Sequence, residues 1–225
     1  MARYVGIARE TTFGTQNDVV DKFIDVVSES VTPEHEMIYP EHAGTRWPTE
    51  GISGAKKETG SFDMIVRSEN ICELLKSLLG DVTTTDDGLT EPIAYKHEFK
   101  PTTEIPSFTL HIGPEVGNNE RVIPGTVVKS IEFEASAREL LTATVNILGC
   151  KEVKANALTP SFTTVPPFVF DKGVVEIDED SSGRVESIRV TPENDIPDDA
   201  FVLGSDTLPG AVSYTHLTLP TICSV

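Results

Sequence analysis

Residues 125–136, GTVVKSIEFEAS, and residues 140–149, LLTATVNILG, decide the fold. They are two long apolar-rich runs with a short connection between them, and they read as a strand pair. Working outward, SFDMIVR at 61–67 alternates Phe62, Met64 and Val66 against Ser61, Asp63 and Ile65, the pattern of a half-buried strand. AYKHEFK at 94–100 and SFTLHIG at 107–113 follow, parted by the Pro-containing PTTEIP. Turn signals stand where strands should stop, at Asp87-Gly88, Gly117-Asn118-Asn119 and Ser182-Gly183. The expected class is mainly β, an antiparallel sandwich or barrel with one packed helix.

That helix is predicted over about residues 69–79. Ile71, Leu74, Leu75, Leu78 and Leu79 recur at helical spacing and form one apolar stripe. Asn70 or Ser68 is placed to cap its start, Glu73 sits at the acid position of a capping box, and Gly80 closes its end. With few polar positions, it should lie across a sheet and bury one face there.

The bulk numbers fit an ordinary globular chain of 225 residues, long enough for one large or two modest domains. Its 36 acidic and 18 basic residues give a formal charge of -18. That argues against wrapping nucleic acid, where affinity rests on Lys and Arg neutralising phosphates. An acidic surface repels phosphate, which is useful where DNA must pass without sticking. No run approaches the length of an apolar membrane span, and the start lacks a signal-peptide core. Cys72, Cys150 and Cys223 are far apart and odd in number, so no disulfide framework is implied and synthesis in a reducing cytosol fits.

Between Tyr39 and Gly60 lies a stretch with little apolar periodicity, read as a long loop. It holds the sole tryptophan, Trp47, beside Arg46, and the basic pair Lys56-Lys57; these four are the candidate interface residues. Folding of Trp47 back onto its own domain is the bland alternative. Further on, Pro160, Pro166 and Pro167 mark residues 157–167 as a linker closing a first domain of 1–156. The phrase VTPE occurs at 31–34 and again at 190–193, and aligning the copies pairs Val26 and Ser28 with Val185 and Ser187. Residues 168–211 therefore read as an incomplete second β module related to the first. The run Val212 to Thr221, VSYTHLTLPT, resembles a translation of the transposase-end adapter used in sequencing libraries. On that reading the gene is cut near Ala211, and 212–225 are an adapter-derived artefact without functional weight.

No catalytic motif emerges: the chain lacks G-x-S-x-G, H-E-x-x-H, a Walker loop and Cys-x-x-Cys. Glu34, His35, Glu36, Glu41 and His42 form the nearest thing to a metal cluster, but straddling a strand end and a turn they define no ligand geometry. Cys72, near the helix start where a thiolate would be stabilised, is weighed against a merely packed cysteine, which is favoured. The expectation is no enzyme, no metal and no cofactor.

Taken in order, YVGIARETTFGTQNDVVDKFIDVVSESVTPE, GSFDMIVRSENICELLKSLLG, IPSFTLHIG and VIPGTVVKSIEFEASARELLTATVNILG resemble the tail tube proteins of long-tailed bacteriophages over most of residues 3–150. FVFDKGVVEI and FVLGS resemble the second half of longer members. The resemblance implies a structural virion protein, made in the host cytoplasm and built into the tail. Its copies would form rings, hexameric in that family, stacked into a conduit that DNA transits without specific binding. Tape-measure and terminator proteins would be its other partners. It also implies that strands of neighbouring subunits join around an acidic lumen, and the long pair bearing Glu132 and Glu134 on one face is the candidate barrel strand. The alternative from another class is a β-sandwich binding or adhesion module, with Trp47 stacking on a sugar or meeting a protein ligand.

Overall fold

The computed structural model describes residues 4–40, 50–86, 88, 95–114, 117–174, 176–177, 180–181, 185–197, 199, 201, 203, 205–208, 210, 214–217 and 221–224. In chain order the elements are β1 (Tyr4–Arg9), β2 (Lys22–Glu29), β3 (Thr32–Ile38), β4 (Ile52–Ile65), α1 (Ile71–Leu79), β5 (Gly80–Asp86), β6 (Tyr95–Pro101), β7 (Phe108–Ile112), β8 (Asn119–Ser136) and β9 (Thr142–Gly149). They continue with β10 (Val153–Asn156), β11 (Glu176–Ile177), β12 (Asp180–Ser181), β13 (Val185–Val190), β14 (Pro192–Asp195), β15 (Tyr214–Leu217) and β16 (Thr221–Ser224).

Six strands close on themselves. β1 pairs with β2, β2 with β4, β4 with β9, β9 with β8, β8 with β7, and β7 returns to β1, every pair antiparallel. Closure leaves none of the six with an edge inside the ring, which removes the exposed ladder that invites aggregation. The open choice between sandwich and barrel thus resolves to a barrel, with the 125–136 and 140–149 runs as its longest ladder. Register there runs from Val127 opposite Leu148 to Glu134 opposite Thr142.

The alternation seen in 61–67 is the alternation of the core. Phe62 and Met64 are fully buried and Val66 nearly so, while Ser61, Asp63 and Ile65 face the other way. They join Val5, Ile7, Ile24, Leu110, Ile123, Val128, Ile131, Val145 and Ile147 inside the barrel. The helix completes the same cluster with Ile71, Leu74 and Leu78. Asn70 occupies its N-cap, but with helical dihedrals and no side-chain cap bond. Its amide instead accepts from Arg67 N at 2.9 Å and donates to Ile65 O at 3.1 Å, tying the helix start to the end of β4. Glu73 likewise turns outward, to the Arg9 guanidinium, with Nε 2.7 Å from Oε2. A second apolar cluster forms outside the barrel, where Val127, Leu148 and Cys150 are covered by Ile105, Ile196 and Leu208.

Three features extend beyond the ring. β5 and β6 make a separate two-stranded sheet. β13 and β14 join the end of β8, with Arg189 opposite Glu134 and Glu193 opposite Ser130; β16 and β15 pair in turn with β13 and β14. The third is the hairpin of β3 and the first half of β4, which continues outward from the barrel, and we call it the arm. Here the loop read over 40–60 is corrected: Ile52–Gly60 are strand, paired across Thr32–Ile38. Apolar periodicity is missing there because the arm has no core to face; every residue of β3 is exposed.

Both VTPE copies sit at the same local feature, the junction of two successive strands crossing one long partner. Glu29 lies opposite Phe62 and Thr32 opposite Thr59 in the first; Val190 lies opposite Phe133 and Glu193 opposite Ser130 in the second. Residues 157–167 run along the barrel: Leu158 N donates to the Tyr4 hydroxyl at 2.8 Å, and Phe162 bridges to Phe23.

Candidate functional site

The barrel presents one broad polar face, on the outside of β2, β4, β9 and β8 and continued by β13 and β14. Because side chains alternate, the residues between the core positions line up across the strands in rows. One row is Ser28, Asp63, Thr144 and Glu132; the next is Ser61, Asn146, Ser130 and Glu193; a third is Ile65, Thr142, Glu134 and Arg189. Hydrogen bonds run along these rows from strand to strand. Asp63 accepts from Ser28 Oγ at 2.5 Å and Thr144 Oγ1 at 2.7 Å, and Asn146 donates to Ser130 Oγ at 2.8 Å.

On these rows Asp63, Glu132, Glu134 and Glu193 stand against one cation, Arg189, which bridges Glu132 at 3.4 Å and Glu134 at 3.3 Å. Glu132 and Glu134 thus lie on one face of β8, the outward one. Small hydroxyl and amide side chains with excess negative charge give a smooth, hydrated surface that repels polyanions.

The second surface is the arm. Met37, Ile38, Tyr39 and Ile52 are about half exposed at its outer end. Lys57 and Glu34 face each other at 3.5 Å, and Glu34 also accepts from Thr59 Oγ1 at 2.5 Å. Lys56 turns to Asp206: its backbone N donates to Asp206 O and its Nζ to Oδ2, both at 2.9 Å. Lys56 holds the Asp206 carboxyl below its usual range. Of the four interface candidates, Lys56 and Lys57 therefore lie on a strand, with their charges engaged within the chain. Arg46 and Trp47 fall outside the described residues.

The remaining chemical candidates resolve simply. Glu34, His35 and Glu36 are consecutive and exposed on β3, whose register is irregular between His35 and Met37, while Glu41 and His42 lie outside the described residues. Cys72 packs with its Sγ 3.4 Å from Ser68 O, and burial, then the neighbouring Glu73, push its thiol up.

Two charged groups inside the fold were not singled out from sequence. His111 and Glu120 form a fully buried pair, Nδ1 to Oε1 2.9 Å, with Nε2 2.8 Å from Asn17 O. Burial opposes the charge on His111, but the bonds to Glu120 and Asn17 prevail and raise its pKa. Arg121, the next residue, turns to the opposite side of β8 and meets Glu29, Glu58 and Glu152. A lone histidine within the apolar run SFTLHIG was the available signal for the first; nothing local signals the second, because its partners are 31 to 92 residues away.

A closed barrel whose chemistry lies in its outer faces and projecting strands describes an architectural subunit. The chain matches the family model for phage tail tube protein over residues 2–218, and it belongs to that family. It is a structural component of the virion tail. No curated protein matches it, and among the described residues no helix is long and apolar enough to cross a membrane.

Proposed function

We propose that copies of this chain stand side by side in rings, six to a ring as the family resemblance implies, and that the rings stack into a tube for DNA. The polar face carrying Asp63, Glu132, Glu134 and Glu193 turns to the lumen, so that phosphate slides past without specific binding. The arm, with Arg46 and Trp47 in its connecting segment and Lys56 and Lys57 stiffening its stem, reaches the adjacent ring. Tape-measure and terminator proteins meet the tube in its lumen and at its end. Residues 168–211 are proposed as the start of a second β module.

The observation that carries this reading is the placement of two apolar features at opposite ends of one strand. The exposed patch of Met37, Ile38, Tyr39 and Ile52 lies at the β4 start. Beyond the other end, past Ile65, opens a groove of about 400 Å³ lined by Ala135, Leu141, Phe168, Phe170, Val174 and Ile188. Phe168 and Phe170 are about half exposed in it. Fourteen residues of strand put the two up to about 40 Å apart. A patch at one end that fits a groove at the other makes a head-to-tail contact that does not close, and such a contact produces a stack.

The test is negative-stain microscopy of the purified chain over a range of concentration and salt. Tubes of regularly spaced rings are expected, abolished by Ile52→Asp and by Phe170→Asp separately. A chain that stays monomeric throughout and binds a sugar or protein ligand instead would overturn the reading in favour of a binding module.

A further inference from the structure

The arm has no core of its own, so something must fix its direction relative to the barrel. Both sides of it change at one level: β4 passes Gly60 with φ +145°, and opposite it the chain breaks between β2 and β3 at Ser30–Val31, whose backbone lies directly against Gly60. Beneath this corner lies the Arg121 guanidinium, from the first turn of the β8 ladder. Its Nη1 donates to Val31 O at 2.9 Å and stands 3.4 Å from Glu29 Oε1. Its Nε donates to Glu152 Oε2 at 2.5 Å, and its Nη2 lies 3.6 Å from Glu58 Oε2. The partners are cross-tied as well. Glu29 Oε1 accepts from Val31 N at 2.8 Å, and Glu58 Oε1 from Glu152 N at 3.3 Å.

One planar cation therefore touches the end of β2, the β2–β3 link, β4 on the arm side of Gly60, and the segment following β9. Glu29 and Glu58 have side chains only 6% and 1% exposed, so these contacts are poorly screened by water. A guanidinium can address partners in several fixed directions within its plane; an ammonium cannot.

We infer that Arg121 is a positioning residue for assembly: it fixes the angle at which the arm leaves the barrel. The inference rests on the reading that the arm makes the contact between stacked copies. It predicts that the residue acts without touching a neighbouring copy, through the corner alone.

The test compares the parent with Arg121→Lys, and with Arg121→Met combined with Glu29→Gln, Glu58→Gln and Glu152→Gln, which removes the three carboxylate charges that Arg121 would leave behind. In unassembled protein, amide exchange at 32–38 and 52–58 should quicken by about tenfold or more in both variants, while exchange at 62–64 and 143–147 stays near the parent's. The concentration needed for tube formation should rise by a similar factor, on the order of tenfold, since a mobile arm must be ordered on binding. Arm exchange unchanged in Arg121→Lys would overturn the inference, as would full assembly by the combined variant in which Arg121 and its three carboxylate partners are all replaced. Ile52→Asp in the parent separates the two readings. If tubes form despite it, the arm is not the stacking contact; the exchange result still decides whether Arg121 holds the corner.

Discussion

Replacing Gly60 by alanine should destabilise the barrel by about 4 kcal/mol, the sum of two effects. The backbone there has φ +145°, a conformation L side chains rarely adopt, and holding one there costs about 1–3 kcal/mol. In addition, the new Cβ would stand 2.5 Å from Ser30 O and 2.6 Å from Val31 Cα. Those are backbone atoms of the β2–β3 link and cannot swing aside, so overpacking adds roughly 1–3 kcal/mol. For a chain of this size each kcal/mol lowers the melting temperature by roughly 2–4 °C, giving a drop of about 10 °C. The assay is thermal and urea unfolding of unassembled protein, followed by circular dichroism. Gly88→Ala is the control: its φ is +75° and a Cβ there meets nothing within 4 Å, so only a backbone term of about 1 kcal/mol applies. If the two variants unfold at the same denaturant concentration, the close approach of Val31 to Gly60 does not constrain the corner and the argument for a rigid bend fails.

Three further outcomes are expected. Leu74→Ala, emptying a fully buried helix position in the barrel core, should cost about 2–5 kcal/mol in urea unfolding, against less than about 0.5 for the exposed Lys154→Ala. His111, whose folded pKa is raised above its unfolded value, contributes stability that is fully present below pH 6.5 and is lost as pH rises through the folded pKa; His111→Asn should remove that slope from the stability–pH profile. Glu132→Gln with Glu134→Gln should change stability by no more than about 1 kcal/mol, because both pairs with Arg189 are well exposed, while measurably slowing passage or release of DNA through assembled tubes.

Much of the barrel was legible because its inner positions obey period two over long runs. Phe62, Met64 and Val66 announced their strand, and Ile71, Leu74 and Leu78 announced the helix by period 3.6, since each element had to bury one face against the same core. The arm was illegible for the converse reason. Residues 52–57 are exposed or half-buried on both faces, so burial imposes no alternation, and the sequence there looks like loop. Asn70 looked like a cap but is drawn away to Arg67 and Ile65 by the packing of the strand end. That Glu132 and Glu134 share one face followed from alternation alone, whereas which way that face points, and its bridging by Arg189, depend on the closed ring and on β13 reaching β8 from more than fifty residues downstream.

By itself, the sequence determined the core strands of the barrel, the amphipathic helix that packs on them and the acidic balance. Those are properties of local periodicity and composition, and each segment carries its own record of them. Only the tertiary structure decided that six strands close into a barrel, that a polar face gathers four carboxylates with one arginine bridging two of them, and that Arg121 joins the base of the arm to the barrel. These depend on register between distant strands: a shift of one residue in β4 against β9 would turn Asp63 inward and Phe62 out. That register is fixed by all the pairings of the closed ring together, and no single stretch of sequence contains it.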